Sequence, residues 1–545
     1  MSRNLDEKDS EQISDKIYSY NEGPKNPNNL EYDAFRRSMG GVEESPQKKE
    51  IDIDIQQPQP KFSSQTSIVH IDQSPPYIWV LFIVFGIIQI VFIIVFGFYY
   101  NWVENLNAPY QKGNDINAQA RKEIKNKYRS FQDMTIIILL GFGFLRASLK
   151  HHLWSSIILT FIGGVISFEF GLLFLITWSS LLQREWVEGL YNFNALFDGL
   201  YIAASYVVSS GAYIGKLSFS QYFVVMLVES FFASLNYLLV RQSLRVIDIG
   251  GTLNVHLFGA VFGSIFSMIS FCNKNEIERI NTSIHLGSDH NSNLFALFGS
   301  LMIIPLWPSF NTALVDVNLK YRGIINTYFS VGGSIIGFFL MSSLLNNRKF
   351  KIEDVIYSSF PGAIIIGGCC HLIKEFYLCI LFGILASVAS AILSFVFYDK
   401  VRINNRGYHD TVQILFYHGI PAIIGGIITA IFLGNLHNLK NHIYNFDYKM
   451  FIGTLLFDDI NGDIFSEDKT NIQGKAAVLF GAIFLTIVIA GLSGLCVGLC
   501  VKFCNCNIAW RYFNDSEFFD VDENEPFPWI DERVELKFNY NSKPK

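Results

Sequence analysis

The sequence predicts an all-α membrane protein with about twelve transmembrane helices, in which an inverted five-plus-five helix repeat is flanked by an extra N-terminal and a C-terminal helix. Half of the 545 residues are hydrophobic, and they fall in long blocks. Segment 77–100 contains no charged residue, and about 20 apolar residues are enough to cross a bilayer. An aspartate followed eight residues later by a histidine occurs twice, each time near the start of an apolar block.

The composition argues against several other classes of protein. The net charge is −6 without a long basic patch, so nucleic acid is not an expected partner. The eight cysteines sit in or beside apolar segments, unlike those of a secreted disulfide scaffold. We find no HExxH or GxSxG motif, and no histidine lies near the run Cys496, Cys500 and Cys504. We therefore expect neither an enzyme nor a metal site nor a cofactor.

The apolar blocks divide the chain into three parts. Residues 1–76 are polar and predict a disordered cytoplasmic N-terminal tail. Residues 77–506 form the transmembrane domain, and residues 507–545 form an acidic tail that an even number of spans returns to the cytoplasm. We expect a multi-pass protein of the plasma membrane, with an internal vacuolar membrane as the alternative. The predicted spans lie near 77–100, 132–149, 153–178, 190–215, 219–241, 249–272, 293–316, 323–345, 356–372, 375–398, 410–433 and 475–503.

The repeated Asp/His pattern is the most informative feature. Asp248 precedes His256 in DIGGTLNVH, and Asp410 precedes His418 in DTVQILFYH. Each pair opens the fifth span of a five-span set, and an odd number of spans gives the two sets opposite orientations, as in inverted repeats with a midplane site. Eight helical residues rise about 12 Å, which places each histidine near the centre of a core about 30 Å thick.

Each of these ionisable residues has a structural alternative. Placing one in the membrane costs about 2.5–3.5 kcal/mol or more, and a single histidine could simply make an interhelical hydrogen bond. Two histidines at equivalent repeat positions favour a functional site. Asp248 and Asp410 could cap helix N-termini, attract a cation, or do both. For Glu169, in the span near 153–178, we favour a protonated interhelical hydrogen bond over a second cation or proton site.

Several strings carry a family resemblance. They are FQDMTIIILLGFGFLRASLK at 131–150, DIGGTLNVHLFGAVFG at 248–263, LFALFGSLMIIPLWPSFNTAL at 294–314, and DTVQILFYHGIPAIIGGI at 410–427. On these residues the chain resembles the Rh branch of the ammonium transporter/Rh glycoprotein family. The resemblance runs in order through roughly residues 77–435 and continues more loosely into the last span.

The resemblance implies a homotrimer with one ammonium- or ammonia-conducting pore per subunit, and the Rh branch is suspected of passing carbon dioxide as well. His256 and His418 match the paired pore histidines, Asp248 the buried aspartate near the outer vestibule, and Phe310 and Tyr201 two stacked aromatic gates. The family usually has phenylalanine at the first gate. The Tyr201 hydroxyl needs a partner, and it indicates either a wetter gate or a different register. The predicted pore residues are His256, His418, Phe310, Tyr201, Asp248 and Asp410.

Two other functional hypotheses were weighed. A non-conducting ammonium sensor or a structural membrane scaffold of the same family would act through its tails. The presence of both histidines favours conduction over that alternative. An intramembrane enzyme using the histidines as acid–base catalysts would also need a nucleophile or a metal cluster, and the sequence has no motif for either.

Overall fold

A computed structural model describes residues 77–102, 116–150, 152–271, 287–315, 317–398, 408–443, 469–503 and 515. Within these residues the chain is almost wholly helical, and we label its helical units α1 to α12. Short π or 3₁₀ turns extend several of the α-helices. The first six units are α1 Tyr77–Tyr99, α2 Ile116–Thr135, α3 Leu153–Gln183, α4 Phe193–Tyr213, α5 Phe219–Leu238 and α6 Phe258–Ser270, and the last six are α7 His290–Ile303, α8 Val317–Leu345, α9 Ile352–Tyr357 with Phe360–Ile365, α10 Phe376–Leu393, α11 Ile420–Ile443 and α12 Lys469–Phe503. Short segments continue four of these helices: Ile136–Gly141 and Phe142–Leu145 follow α2, Leu239–Ser243 follows α5, Ile304–Leu306 and Trp307–Asn311 follow α7, and Ser394–Tyr398 follows α10. Two π turns come before a helix: Thr252–Leu257 before α6 and Leu415–Gly419 before α11.

The predicted fold class is confirmed. Among the described residues, 8 helices are long and apolar enough to cross a membrane by length and composition. The order of units leaves α1 ahead of two five-unit sets, α2–α6 and α7–α11, with α12 at the end. One local detail differs from an all-α prediction, because strands β1 (Tyr100–Trp102) and β2 (Gly189–Tyr191) pair in parallel beyond the ends of α1 and α3.

Two predicted boundaries were wrong. The segment 101–131 was predicted to be a polar loop, but α2 begins at Ile116. Its polar turns are rich in Ala, Arg, Lys and Glu, residues that favour helix without needing burial. The predicted span 356–372 is broken into the two short helices of α9. Pro361 begins the second of them, and Gly367 and Gly368 follow its end, so a continuous helix is not favoured there. The predicted tail 1–76 lies outside the described residues.

Small residues let helices approach closely inside the membrane. A Cβ atom at Gly383 on α10 would lie 2.0 Å from the Ser330 carbonyl oxygen on α8, and one at Gly333 on α8 would lie 2.4 Å from the Ile380 carbonyl oxygen. Helices in lipid associate through close packing rather than through hydrophobic burial, and small side chains permit it. These glycines therefore fix how α8 packs on α10.

Helix α1 packs on the first repeat through polar and aromatic contacts with α3 and α5. Gln89 Nε2 donates a hydrogen bond of 2.7 Å to Glu169 Oε2 on α3. The Phe92 ring meets the Phe170 ring at 5.0 Å. The side chain of Glu169 thus makes the interhelical hydrogen bond that the structural alternative requires. The other face of α1 carries exposed apolar residues such as Ile87 and Phe98, as expected of a lipid-facing helix.

Asp515 of the C-terminal segment lies at the start of α3. Asp515, the described residue of segment 507–545, accepts hydrogen bonds from the Trp154 amide at 2.8 Å and the Ser155 amide at 3.1 Å. These amides belong to the first turn of α3, whose N–H groups have no partner within the helix. A residue far away in sequence therefore caps this helix and ties the tail to the helical domain.

Replacing Asp515 with alanine should release the tail, because the cap contributes about 1 kcal/mol. We expect faster hydrogen exchange of peptides that contain Trp154 and Ser155, measured by mass spectrometry on the full chain in detergent. The variant Asp515→Asn retains an acceptor oxygen and should exchange at a rate close to the wild type. Equal protection in the alanine variant would show that the contact does not hold the tail.

Candidate functional site

The two histidines of the repeated pattern meet in the interior of the helical domain. His256 Nδ1 lies 3.2 Å from His418 Nδ1, and the ring centroids are 5.3 Å apart. Both side chains are buried, with exposures of 1% and 0%. Among the described residues, neither Nε2 atom has a hydrogen-bond partner. The pair therefore joins the two repeats, and its two buried Nε2 atoms make no hydrogen bond with the described residues.

Each histidine stands on a π-helical turn in front of its helix. His256 lies on the turn Thr252–Leu257, and His418 lies on the turn Leu415–Gly419. In the first turn the His256 amide donates to the Gly251 carbonyl five residues back. Single π turns are rare and occur often at functional sites, because they displace one side chain from the α-helical register. The two repeats use the same device at corresponding positions.

The two aspartates of the pattern cap these turns. Asp248 accepts from the amides of Leu253 and Asn254 at 3.0 and 2.8 Å, and from the Asn254 side chain at 2.8 Å. Asp410 Oδ2 accepts from the Leu415 amide at 3.2 Å and from the Tyr408 hydroxyl at 2.9 Å. Both carboxylates are buried. In each repeat the first amide that donates to the aspartate lies five residues further along the chain. Both aspartates therefore cap a helical turn, as the capping alternative requires.

Glycines hold the loop before His256 against its neighbours. Gly251 has a φ of 65°, a conformation that other residues rarely adopt. A Cβ atom there would lie 3.1 Å from the Tyr201 ring. The Gly250 amide donates to the Gly367 carbonyl at 3.0 Å, where a Cβ would be 2.7 Å from the Gly367 Cα. The close approach of these backbones explains the glycine pair in the DIGG string.

The two predicted gate residues are adjacent, but they are not stacked. The ring centroids of Tyr201 and Phe310 are 5.4 Å apart with an interplanar angle of 73°, an edge-to-face contact. The Tyr201 hydroxyl donates to the Ile249 carbonyl at 2.5 Å and lies 3.3 Å from the Phe310 carbonyl. The hydroxyl thus has protein partners, and both rings are buried. The hydrogen bond of the Tyr201 hydroxyl fixes the ring in place, and the role of the two rings as a gate stays a prediction.

Polar residues that the sequence did not suggest lie beyond the gate. Arg241 Nη1 is 3.5 Å from Asp198 Oδ1, and the Tyr237 hydroxyl donates to the same oxygen. The Tyr237 ring lies 6.2 Å from the Tyr201 ring. We call this the Asp198 side of the histidine pair. A positive and a negative charge offset each other here.

A cavity opens on the opposite side, which we call the Glu353 side. The Tyr357 and Tyr417 rings stack at 4.8 Å on its wall, and the Tyr417 hydroxyl donates to Asp354 Oδ1 at 3.3 Å. Phe360 connects this wall to the histidines, because its ring lies 5.6 Å from Tyr357 and 5.2 Å from His418. Lining residues of the cavity include Ser148, Glu353, Tyr357, Thr411, Gln413 and Tyr417.

Aromatic rings surround the histidine pair. The ring centroid of Trp307 lies 5.8 Å from that of His256, and the ring centroid of Phe142 lies 6.3 Å from that of His418. Both rings come from strings that the sequence analysis had quoted, but nothing in their spacing showed that they would face the histidines. Close to Phe142 lies a buried arginine, Arg146, near the end of the predicted span 132–149. Rings shield the imidazoles from water and leave a narrow, apolar surrounding.

The fold and the site together define a multi-pass integral membrane protein whose paired histidines sit where two oppositely oriented helical repeats meet. Comparison with known families gives the class. The model of the Ammonium Transporter Family matches residues 81–505, and the chain belongs to that family.

Individual relatives point to the Rh branch. The chain is 26% identical over 457 residues to ammonium transporter Rh type C of Oryctolagus cuniculus, a match covering 82% of this chain and 92% of the relative. It is 27% identical to Rh type A of Canis lupus familiaris, covering 63% and 81%. Rh50 of Nitrosomonas europaea has the same fold, with a TM-score of 0.58, 21% identity, and coverage of 77% and 96%.

The capping aspartates should matter more for stability than an ordinary helix cap does. Replacing Asp248 with alanine leaves three buried donors without their acceptor, each costing about 1–3 kcal/mol. We expect a loss of about 3 kcal/mol or more, measured by denaturant unfolding of the purified protein in detergent.

Asp289→Ala provides the matched control for this comparison. Asp289 caps α7 conventionally, through the Ser292 amide at 2.7 Å, so the variant should lose only about 1 kcal/mol. Asp410→Ala should fall between the two, because fewer donors depend on it. A control variant as unstable as Asp248→Ala would mean that the π-turn caps have no special weight.

Proposed function

We propose that this protein conducts ammonia across a membrane, taking it up as ammonium and passing it between His256 and His418. The observation that carries the proposal is the 3.2 Å contact between the two Nδ1 atoms, made by residues at matching positions of the two repeats. Membership of the ammonium transporter family supports it. On this proposal the protein is a transport channel and not an enzyme.

Energetics favour passage of the neutral molecule. Moving a bare ammonium ion into a dry, low-dielectric passage costs tens of kcal/mol. Transferring a proton from an alkylammonium ion to a free imidazole costs only about 5 kcal/mol, from a gap of about 4 pKa units. Deprotonation is therefore the cheaper route, with ammonia passing the histidines and the proton returning to the solution on the side of entry. The buried aromatic surroundings of the two imidazoles suit a neutral guest.

The histidine contact also gives the pair a defined polarity. A hydrogen bond between two neutral imidazoles at their Nδ1 atoms requires one to donate and the other to accept. The donor ring then presents an unprotonated Nε2, and the acceptor ring presents an Nε2–H group. Ammonia can donate to the first and accept from the second. The pair thus matches a small neutral amine and offers nothing that selects a cation.

The other predicted pore residues take roles in line with their contacts. Phe310 and Tyr201 restrict passage at the Asp198 side, which we propose is the outer side. Asp248 acts mainly by holding the first π turn, since its oxygens are engaged by amides. Asp410 holds the second turn, and its Oδ1 atom has no partner among the described residues. Asp198, which is partly exposed, is better placed than Asp248 to meet an arriving ammonium ion.

The remaining predictions stay part of the proposal. We propose a homotrimer in the plasma membrane, with a vacuolar membrane as the alternative, and cytoplasmic tails. Carbon dioxide is a further candidate for transport. A non-conducting sensor is the alternative function. A structure described as a sensor Amt protein shares this fold, with a TM-score of 0.54 and 15% identity, a likeness that bears on the fold alone.

Replacing either histidine with alanine should reduce transport at least tenfold. The amine would lose a hydrogen bond made in a water-excluded site, and about 1.4 kcal/mol corresponds to a factor of ten. The measurement is ammonium-driven alkalinisation inside liposomes that contain the purified protein, followed with a trapped pH dye.

His371→Ala serves as the control, because His371 is also fully buried and its two ring nitrogens have no partner among the described residues. It should transport at close to the wild-type rate. Unchanged transport in both His256→Ala and His418→Ala would refute the proposed path. Wild-type liposomes that behave like empty ones would favour the sensor.

Tyr201→Phe should loosen the gate. The variant loses a hydroxyl bond worth about 1 kcal/mol and frees the ring from the Ile249 carbonyl. We expect methylammonium transport to rise relative to ammonium by up to about fivefold, because the wider amine is the one most hindered by a fixed ring.

Tyr206→Phe is the matched control for this variant, since the Tyr206 hydroxyl donates to the Leu159 carbonyl at 3.3 Å away from the gate. The two transport rates are measured in the same liposomes. A methylammonium-to-ammonium ratio equal in Tyr201→Phe, Tyr206→Phe and wild type would show that the hydroxyl does not control the gate.

A further inference from the structure

A buried arginine near the histidine pair makes no ion pair with a carboxylate among the described residues. Arg146 follows the last turn of α2 and is fully buried. Its Nη2 atom donates to the carbonyls of Val207 and Val208 at 2.8 and 3.1 Å. Its Nε and Nη1 atoms have no hydrogen-bond partner among the described residues. The Tyr357 hydroxyl lies beside the guanidinium, but a hydroxyl carries no charge to balance it.

The acidic groups on the same side are engaged elsewhere. Asp410 caps the second π turn and faces Lys216. Asp354 accepts from the Tyr417 hydroxyl, and Glu353 pairs with Lys351 at 2.8 Å. Within the described part of the chain, no carboxylate reaches the Arg146 guanidinium. Because arginine stays protonated in proteins, a full positive charge remains in a region of low dielectric constant.

The charge lies one aromatic ring from the proposed path. The guanidinium carbon of Arg146 is 5.6 Å from the centroid of the Phe142 ring, and that centroid is 6.3 Å from the His418 ring. Tyr357, beside the guanidinium, lines the cavity on the Glu353 side. The arginine thus stands next to the stretch between His418 and the cavity.

The fold makes space for this group. A Cβ atom at Gly211 on α4 would lie 2.4 Å from Arg146 Nη1, so the glycine leaves space for the guanidinium in its present position. Burying an unpaired charge is costly and does not stabilise a fold. The fold thus leaves space for a buried charge that does not stabilise it, which indicates that the charge of Arg146 has a function.

We infer that Arg146 is a charge filter, a residue that determines specificity by excluding cations from the Glu353 side of the histidine pair. A fixed charge in a poorly screened site repels a second cation strongly, and channels use such barriers to reject ions and protons. Neutral ammonia meets no such barrier. This inference rests on the proposed function and deepens it, because transport through the wild-type protein should then carry no net charge.

Lys216 is a second buried cation on this side, and it differs from Arg146 in the partners of its charge. Its Nζ atom meets the Ser267 hydroxyl at 2.9 Å, His409 Nδ1 at 3.0 Å and the His409 carbonyl at 2.9 Å. It also faces Asp410. The ammonium group of Lys216 has three acceptors and a nearby carboxylate, whereas no carboxylate of the described residues lies within ion-pair distance of the Arg146 guanidinium.

The test measures amine and charge in the same liposomes, using purified full-length protein. Amine transport is followed by internal alkalinisation after an ammonium pulse, and charge movement by solid-supported membrane electrophysiology. Wild type and Arg146→Lys should transport amine with no current above empty liposomes. Arg146→Met, which keeps the volume and removes the charge, should raise the charge moved per amine by about tenfold or more.

A second measurement needs no variant. A membrane potential imposed with potassium and valinomycin should leave the wild-type rate of alkalinisation unchanged. A potential-dependent wild-type rate, or a charge-to-amine ratio in Arg146→Met equal to that of the wild type, would overturn the charge filter while leaving the proposed function intact. Absence of alkalinisation in the wild type would overturn the proposed function instead, and the filter with it.

Discussion

The contact between His256 and His418 is the interaction on which the rest of the structure depends. Two polar rings are buried among Trp307, Phe142 and Phe360, and burial of polar groups is unfavourable unless they are hydrogen-bonded. Each ring satisfies one nitrogen through the other ring. The opposing repeats must therefore bring both rings to one point, and the π turns, the capping aspartates and the close glycine contacts all act to hold them there.

Most of the charged groups around this pair have a partner that offsets their charge. The carboxylates of Asp248 and Asp410 accept hydrogen bonds from backbone amides. Their negative charge therefore lies at the start of a helix, where the helix dipole favours it. On the Asp198 side an arginine and an aspartate offset each other. On the Glu353 side Lys216 is compensated and Arg146 is not. The electrostatic asymmetry of the two sides thus rests largely on one residue.

The sequence was sufficient for the fold and for the central pair. The length of an apolar block can be read locally from the sequence. The Asp/His spacing occurs twice because both repeats use the same π turn. The partner of the Tyr201 hydroxyl, the edge-to-face angle at Phe310 and the isolation of Arg146 were not predictable, since each depends on backbone from a distant helix. An arginine at the end of an apolar block normally reaches the membrane surface, and only the niche at Gly211 shows that this one is buried.

The two repeats share a backbone plan, but their side chains differ in ways that suit the proposed neutral cargo. Asp248 is fully occupied by donors, whereas Asp410 keeps one oxygen without a partner in the described residues, near Lys216. One side is closed by interlocking rings and the other opens to a cavity. The hydrogen bond between the imidazoles leaves one bare Nε2 and one Nε2–H, an arrangement that suits a neutral amine on the proposed path. The unequal charges that flank the pair then add to the proposed discrimination between ammonia and ammonium.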